Sequence, residues 1–169
     1  QYEAQVRTVC SSSNSAYSSS TTFTTTSISC SSTVSSFPYG EGFEANDGWT
    51  QLTGDDGNWV RNSGSTPSNT TGPSSATEGS FYMFLEASTN NSPGQIGPNA
   101  TAILESPCFD LPADSNAEFS FGYHMYGANM GSLTVQASTD GTTFTNLWSL
   151  SGDQGNSWQS QTLDISSYA

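Results

Sequence analysis

The sequence predicts an all-β sandwich, and three observations predict it. The stretch 118–138, EFSFGYHMYGANMGSLTVQAS, alternates Phe119, Phe121, Tyr123 and Met125 with Ser120, Gly122, His124 and Tyr126. After an interruption from Gly127 to Gly131 it alternates Leu133, Val135 and Ala137 with Thr134, Gln136 and Ser138. A period of two broken by turn residues is the signature of a β-hairpin. Secondly, aromatic residues make up 12 % of the chain although apolar residues reach only 33 %, so a small core must be filled by a few large rings. Thirdly, short apolar runs recur between turn-rich segments along the whole chain, enough for about eight strands and no helix. Two strands with one apolar face each need a second sheet over that face, which places the 118–138 segment in the middle of a sandwich.

At 169 residues the chain has room for one ordinary domain, or one domain plus a fragment. Two cations, Arg7 and Arg61, stand against 15 acids, for a formal charge of −13. Phosphate recognition needs clustered cations, so nucleic acid and anionic membrane surfaces are poor partners; cationic ligands, divalent metals and neutral glycans stay open. No apolar run is long enough to cross a bilayer, so membrane insertion is not expected, and QYEAQVRTV has none of the regions of a signal peptide. Any export signal is expected to have been removed or to lie upstream. Cys10, Cys30 and Cys108 are odd in number and show no zinc-type spacing, which reads as one disulfide and one leftover thiol. Abundant Ser, Thr, Gly and Asn with few cations favours an extracellular setting.

In chain order, YEAQVRT (2–8) alternates Tyr2, Ala4, Val6 and Thr8 with Glu3, Gln5 and Arg7, and YSSSTTFTT (17–25) is a second β-prone run. Two strands are too few to fold alone. The stretch YEAQVRTVCSSSNSAYSSSTTFTTT resembles the last two strands of a fibronectin type III domain, with a Tyr-x-x-x-Val-Arg opening and a Ser-rich final strand. That resemblance implies a two-strand remnant over 1–26; the alternative for these residues is a Ser/Thr-rich linker. Residues 27–36 read as a Ser/Thr-rich linker carrying Cys30. Apolar content restarts at Phe37-Pro38, and FPYGEGFEANDGWTQL holds two turn signals. Polar loops then surround a short aromatic strand at Trp59-Val60. Strands follow at Phe81 to Leu85, at Thr101 to Leu104, at Thr143 to Leu150 with Phe144, Leu147 and Trp148, and at Trp158 to Ile165.

Residues 37–168 are similar to the MAM domain, an extracellular jelly-roll sandwich of adhesion receptors, receptor phosphatases and secreted metalloproteases. The resemblance rests on Gly42-Phe43-Glu44 followed by Gly48-Trp49-Thr50-Gln51, on Asp55-Asp56 then Trp59, on Thr71-Gly72-Pro73-Ser74, on Gly79 with Tyr82-Met83, and on Leu104-x-Ser106-Pro107. Tyr123-His124-Met125-Tyr126-Gly127, Gly131-x-Leu133-x-Val135 and the run from Trp148 to Trp158 extend it. It implies a jelly-roll domain over 37–169. A fibronectin-type tail joined to such a domain resembles secreted multidomain surface proteins of the Bacteroidetes. MAM domains usually run past the position of Ser167-Tyr168 into further strands, so the sandwich is expected to be truncated, and completed by covalently attached further sequence or by a strand donated from another polypeptide. The family's intradomain cysteines are reduced here to Cys30 and Cys108, which the resemblance pairs, leaving Cys10 to a partner outside; a Cys10–Cys30 pairing is the competing arrangement.

For chemistry, His124 is the only histidine, no elbow-type nucleophile lies near it in sequence, and its counterpart in MAM domains is structural. Glu41 with Glu44, and Glu105 with Asp110, could form carboxylate pairs by count alone, but solvated acids are the default. A structural calcium ion is the better use of the acids: Glu44 and Asp47 stand beside a tight turn, jelly-roll binding modules often hold such an ion through the Glu of a Gly-Phe-Glu start, and Glu86, where MAM domains commonly carry Asp, could complete the set. Asp140-Gly141 is most simply a hairpin turn. Trp49, Trp59, Trp148 and Trp158 could stack on sugars, yet all four fall where MAM domains are generally aromatic, which implies packing. Asn69-Thr70-Thr71, Asn90-Asn91-Ser92 and Asn99-Ala100-Thr101 match the glycosylation sequon, a match expected by chance in a chain so rich in Ser and Asn. The sequence therefore predicts a non-enzymatic extracellular recognition or adhesion module of a larger secreted or cell-surface protein, with a protein or glycan ligand it does not identify. The alternative is a carbohydrate-binding accessory module of a secreted hydrolase.

Overall fold

The computed structural model describes residues 2–4, 21–23, 30, 32–45, 48–88, 93–113 and 115–169. Among them run twelve strands: β1 Tyr2–Ala4, β2 Thr21–Phe23, β3 Thr33–Val34, β4 Thr50–Gln51, β5 Val60–Asn62, β6 Tyr82–Phe84, β7 Leu104–Glu105, β8 Cys108–Phe109, β9 Glu118–Tyr123, β10 Ser132–Ala137, β11 Thr145–Ser151 and β12 Gln159–Asp164. A 3-10 turn, Ser166–Tyr168, follows β12. The strands pair two by two as β1–β2, β3–β8, β4–β7, β5–β6, β9–β12 and β10–β11, all antiparallel except β3–β8. This is the all-β jelly-roll sandwich that the sequence implies.

One expectation is corrected at the centre. Residues 118–138 do contain two strands, but they are not hairpin partners: β9 pairs with β12, and β10 pairs with β11. Burial alternates along both β9 and β10, and the Trp148 ring of β11 meets Phe121 and Tyr123 of β9 at centroid distances of 5.3 and 5.2 Å. The two apolar faces lie opposite each other across the sandwich, with the 124–131 segment crossing between layers. Alternation tells which side of a strand is buried; it does not tell which strand lies beside it. The crossing segment carries Met125, which is only 4 % exposed, and its backbone carbonyl accepts the Gln154 amide at 2.7 Å.

The true hairpin is β10–β11. Its turn is built on Asp140, whose Oδ1 accepts the amides of Thr142 and Thr143 at 2.8 and 2.6 Å, while Gly141 takes φ 69°. Those bonds to the ionised form hold the Asp140 carboxyl well below its usual range. The register shifts between Val135 and Gln136, so that Val135 faces Trp148 and Gln136 faces Asn146. Leu147 is the extra residue of this bulge, which is how Leu147 and Trp148 are both half-buried despite being neighbours.

The other face of β9–β12 presents Ser120, Gly122 and His124 opposite Thr162, Ser160 and Trp158, as the register and the two-residue alternation require. At one end it is covered by β5–β6, where Tyr82 is 5 % and Phe84 6 % exposed, and where the Tyr82 ring meets Trp158 edge-on at 5.8 Å. The N-terminal side is closed by the parallel β3–β8 pair and by a disulfide between Cys30 and Cys108, whose Cα atoms are 5.8 Å apart. The strand at Thr33–Val34 lies inside the 27–36 stretch read as linker, because a two-residue strand in a Ser/Thr-rich stretch is too short to show an alternation. Cys10 lies outside the described residues.

Candidate functional site

The Gly42-Phe43-Glu44 segment gains its shape from bonds that span the chain. Phe43 adopts φ 58°, a left-handed conformation that a bulky residue keeps only when its surroundings hold it. Arg61 on β5 does the holding: its Nε donates to the Phe43 carbonyl and its Nη2 to the Glu44 carbonyl. The same guanidinium lies over the Phe81 ring, 3.3 Å from its centroid, so a cation–π contact fixes the donor. The Glu44 side chain reaches in the other direction, where Oε1 accepts the amides of Ser80 and Phe81 at 2.6 and 3.0 Å. Those two bonds, with Arg61 adding to them, hold the Glu44 carboxyl below its ordinary value. Gly79 makes the approach feasible, since a Cβ there would fall 2.2 Å from Glu44 Oε1.

This arrangement bears on the calcium expectation. Glu44 Oε1 is engaged by two backbone amides, and Glu86 Oε1 accepts the hydroxyls of Ser68 and Ser88 at 2.9 and 2.8 Å. Among the described residues no three His, Cys, Asp or Glu side chains converge as a metal site, and Asp47 lies outside them. Glu44 and Glu86 do not make a calcium site by themselves. Glu41, proposed as a possible partner of Glu44, instead accepts the Phe43 amide on Oε1 and the Tyr39 hydroxyl on Oε2. Glu105 and Asp110 are both exposed.

Three of the four tryptophans anchor the fold by their indole N–H groups. Trp49 donates to the Tyr39 hydroxyl, Trp59 to the Ala102 carbonyl and Trp158 to the Ser75 carbonyl, at 3.2, 3.0 and 2.9 Å. Trp148 is the ring between the layers. Asp55 and Asp56 accept the amides of Ile103 and Thr101, both at 2.7 Å, so these acids brace the loop before β7. His124 stands between aromatic rings, 5.5 Å from Trp158 and 6.4 Å from Tyr126. Its Nδ1 is buried and has no hydrogen-bond partner among the described residues. Burial pulls its pKa below the ordinary imidazole value, against an Asn156 hydrogen bond that acts the other way. Asn69 and Asn99 of the sequons are exposed, and Asn90 lies outside the described residues.

Among the described residues, two of the surface hollows bear on binding. One, of about 310 Å³, lies under the Gly42 loop against Phe43, Trp49, Met83 and Leu104. The other, of about 430 Å³, sits on the outward face of β9–β12 and is lined by Thr77, Glu78, Gly122, Trp158, Gln159 and Ser160 among others. Sequence reasoning missed it, because Thr77 and Glu78 reach the sheet from a loop some 80 residues away from Trp158. Around it the outer strands carry uncharged polar pairs. Ser120 bonds Thr162 at 2.9 Å. On the β10–β11 hairpin Ser132 bonds Ser151 at 2.7 Å, Thr134 bonds Ser149 at 2.9 Å, and Gln136 donates to Asn146 at 2.6 Å.

Comparison with known proteins adds the following. Residues 42–169 match the family model described as MAM domain, meprin/A5/mu. The rat MAM domain-containing glycosylphosphatidylinositol anchor protein 1 is 38 % identical over 127 residues, covering 70 % of this chain and 13 % of that protein. The mouse anchor protein 2 of the same name is 39 % identical over 118 residues, covering 63 % of this chain and 12 % of that protein. Thyroid hormone-induced protein B of Xenopus laevis is 34 % identical over 134 residues, covering 74 % and 18 % respectively. The chain thus spans less than a fifth of each of these animal relatives.

Proposed function

The chain belongs to the MAM domain family, and on that premise we propose that it is a non-catalytic recognition or adhesion module of a larger secreted or cell-surface protein. One observation carries the reading. The residues whose chemistry could have served a reaction are spent on structure: Glu44 and Arg61 on a loop clamp, His124 on aromatic packing, Asp55 and Asp56 on a backbone brace. What the fold offers to solvent is a pair of sheet faces rich in hydroxyl and amide side chains, with two acids, Glu118 and Asp164, opposite each other at one end of β9–β12. Named relatives that carry this domain are glycosylphosphatidylinositol-anchored proteins, which supports an extracellular or cell-surface setting. Among the described residues no helix is long and apolar enough to cross a membrane.

Three finer readings belong to this proposal. The antiparallel β1–β2 pair supports 1–26 as the end of a fibronectin type III-like domain. Sheets of two strands leave edges open among the described residues, which supports a further strand adding to them from continuing sequence or from another polypeptide. A structural calcium ion held by Glu44, Asp47 and Glu86 rests on Asp47. The test of the main reading is adhesion. Beads coated with the folded chain should bind a panel of cell surfaces and immobilised glycoproteins, and beads coated with the reduced, unfolded chain should not. Equal binding by the two preparations, or none by either, would overturn it.

A further inference from the structure

We infer that the cleft on the outward face of β9–β12 binds a neutral saccharide, with the Trp158 ring as its stacking wall. The inference rests on the recognition-module reading and gives that module a ligand class. The hollow is shallow and open to solvent, and its volume of about 430 Å³ lies in the lower part of the range for small-molecule sites, roughly 300 to 1,000 Å³. Its floor is the backbone at Gly122, opposite Ser160 in the register. A Cβ at Gly122 would meet Thr77 Cγ2 at 3.3 Å and Trp158 Cε3 at 3.8 Å, so the glycine is what keeps the floor open between these two walls.

The lining matches a sugar and fits other ligands poorly. Trp158 is held in place by its bond to the Ser75 carbonyl and by edge contacts with Tyr82 and His124, which leaves little rotamer entropy to lose when an apolar sugar face stacks on it. Thr77 and Ser160 supply hydroxyls, which both donate and accept, and Gln159 supplies an amide. Glu78 is exposed, with Oε1 3.7 Å from where a Cβ on Gly42 would stand, and among the described residues its carboxylate has no hydrogen bond; a sugar hydroxyl would satisfy it with a charge-assisted bond. An anionic ligand finds no counter-charge in this lining, because Arg61 is committed to Phe43, Glu44 and Phe81. A cationic peptide finds one acid in the lining, Glu78, with Glu118 and Asp164 further along the same face, and the calorimetry against the lysine-rich peptide decides between the two ligands.

Titration calorimetry of the whole chain against neutral oligosaccharides of several linkages, an anionic oligosaccharide and a lysine-rich peptide tests this. A neutral oligosaccharide should bind with Kd of roughly 0.01 to 1 mM. Glu78→Ala, which removes an unbonded carboxylate, and Ser160→Trp, which fills the cleft from an exposed position, should each weaken binding at least about tenfold with melting unchanged. Thr134→Ala, on the outer face of β10–β11, should leave binding as it was. Trp158→Ala should abolish binding, but since Trp158 also packs on Tyr82 the other two variants decide. No neutral oligosaccharide bound at about 10 mM, preference for the anion or the peptide, or affinity unmoved by Glu78→Ala and Ser160→Trp would overturn the inference. Bead adhesion that persists in both variants would overturn it while sparing the module reading; loss of adhesion by the unaltered chain would overturn that reading instead.

Discussion

Removing the Cys30–Cys108 cross-link should cost the fold about 4.5 kcal/mol. The two cysteines are 78 residues apart, and closing a loop of that length removes about 15 cal/mol/K of chain entropy from the unfolded state, or about 4.5 kcal/mol at 25 °C. Both cysteines are only half-buried, so Cys30→Ala/Cys108→Ala takes away little packing and the effect falls mainly on the unfolded chain. At roughly 2 to 4 °C per kcal/mol for a chain of this size, the melting temperature should drop by about 9 to 18 °C. Urea unfolding followed by tryptophan fluorescence measures both expected consequences: a lower midpoint, and a steeper dependence on urea as the released chain exposes more surface. A loss below about 1 kcal/mol at unchanged slope would refute the loop-closure reasoning. It would mean that the unfolded chain stays compact around this link.

The other predictions concern the Gly42 loop, pH and calcium. Arg61→Ala should cost about 2 to 3 kcal/mol, because it removes charge-assisted bonds to two carbonyls and a cation–π contact, and Arg61→Lys should recover less than half, since an ammonium cannot make both bonds from over Phe81; equal urea midpoints for Lys and Arg would contradict this. His124 has a folded-state pKa below its ordinary 6.5, so the unfolded state takes up the proton first and stability should be full above about pH 6.5 and fall as pH drops below it. His124→Gln should flatten that slope in a melting profile. Glu44, Asp140 and Asp164 are held below their ordinary values of 4.5, 3.8 and 3.8; their contributions are present above those values and should be lost as pH falls further, giving a second decline that His124→Gln leaves in place. Millimolar calcium should raise the melting temperature of chelator-treated protein, and Asp47→Asn should abolish the rise; no response to calcium would end the metal proposal.

How much was legible in the sequence differs from element to element. The alternations at 118–125, 132–138 and 158–165 located β9, β10 and β12 to within a residue or two, since a half-buried strand writes its period into the residue types. The pairing of Cys30 with Cys108 followed from the family resemblance. The partner of β9 did not follow: two neighbouring alternating segments read as a hairpin, whereas the fold sets them face to face. The four tryptophans were expected to pack, and the bonds of Trp49, Trp59 and Trp158 and the rings around Trp148 agree. For Arg61 the only signal was its rarity as one of two cations. Its carbonyl partners are 17 and 18 residues away, beyond any local pattern.

By itself the sequence determined the β character, the aromatic core, the acidic, cation-poor surface and the family, because each is a property of residue types in order. Only the tertiary structure decided which strand lies beside which, that Glu44 is drawn to the Ser80 and Phe81 amides, and that Thr77 stands over Gly122 beside Trp158, with Glu78 in the same hollow. Those outcomes depend on free energy shared between segments far apart in the chain, and such coupling leaves no local trace in any one of them.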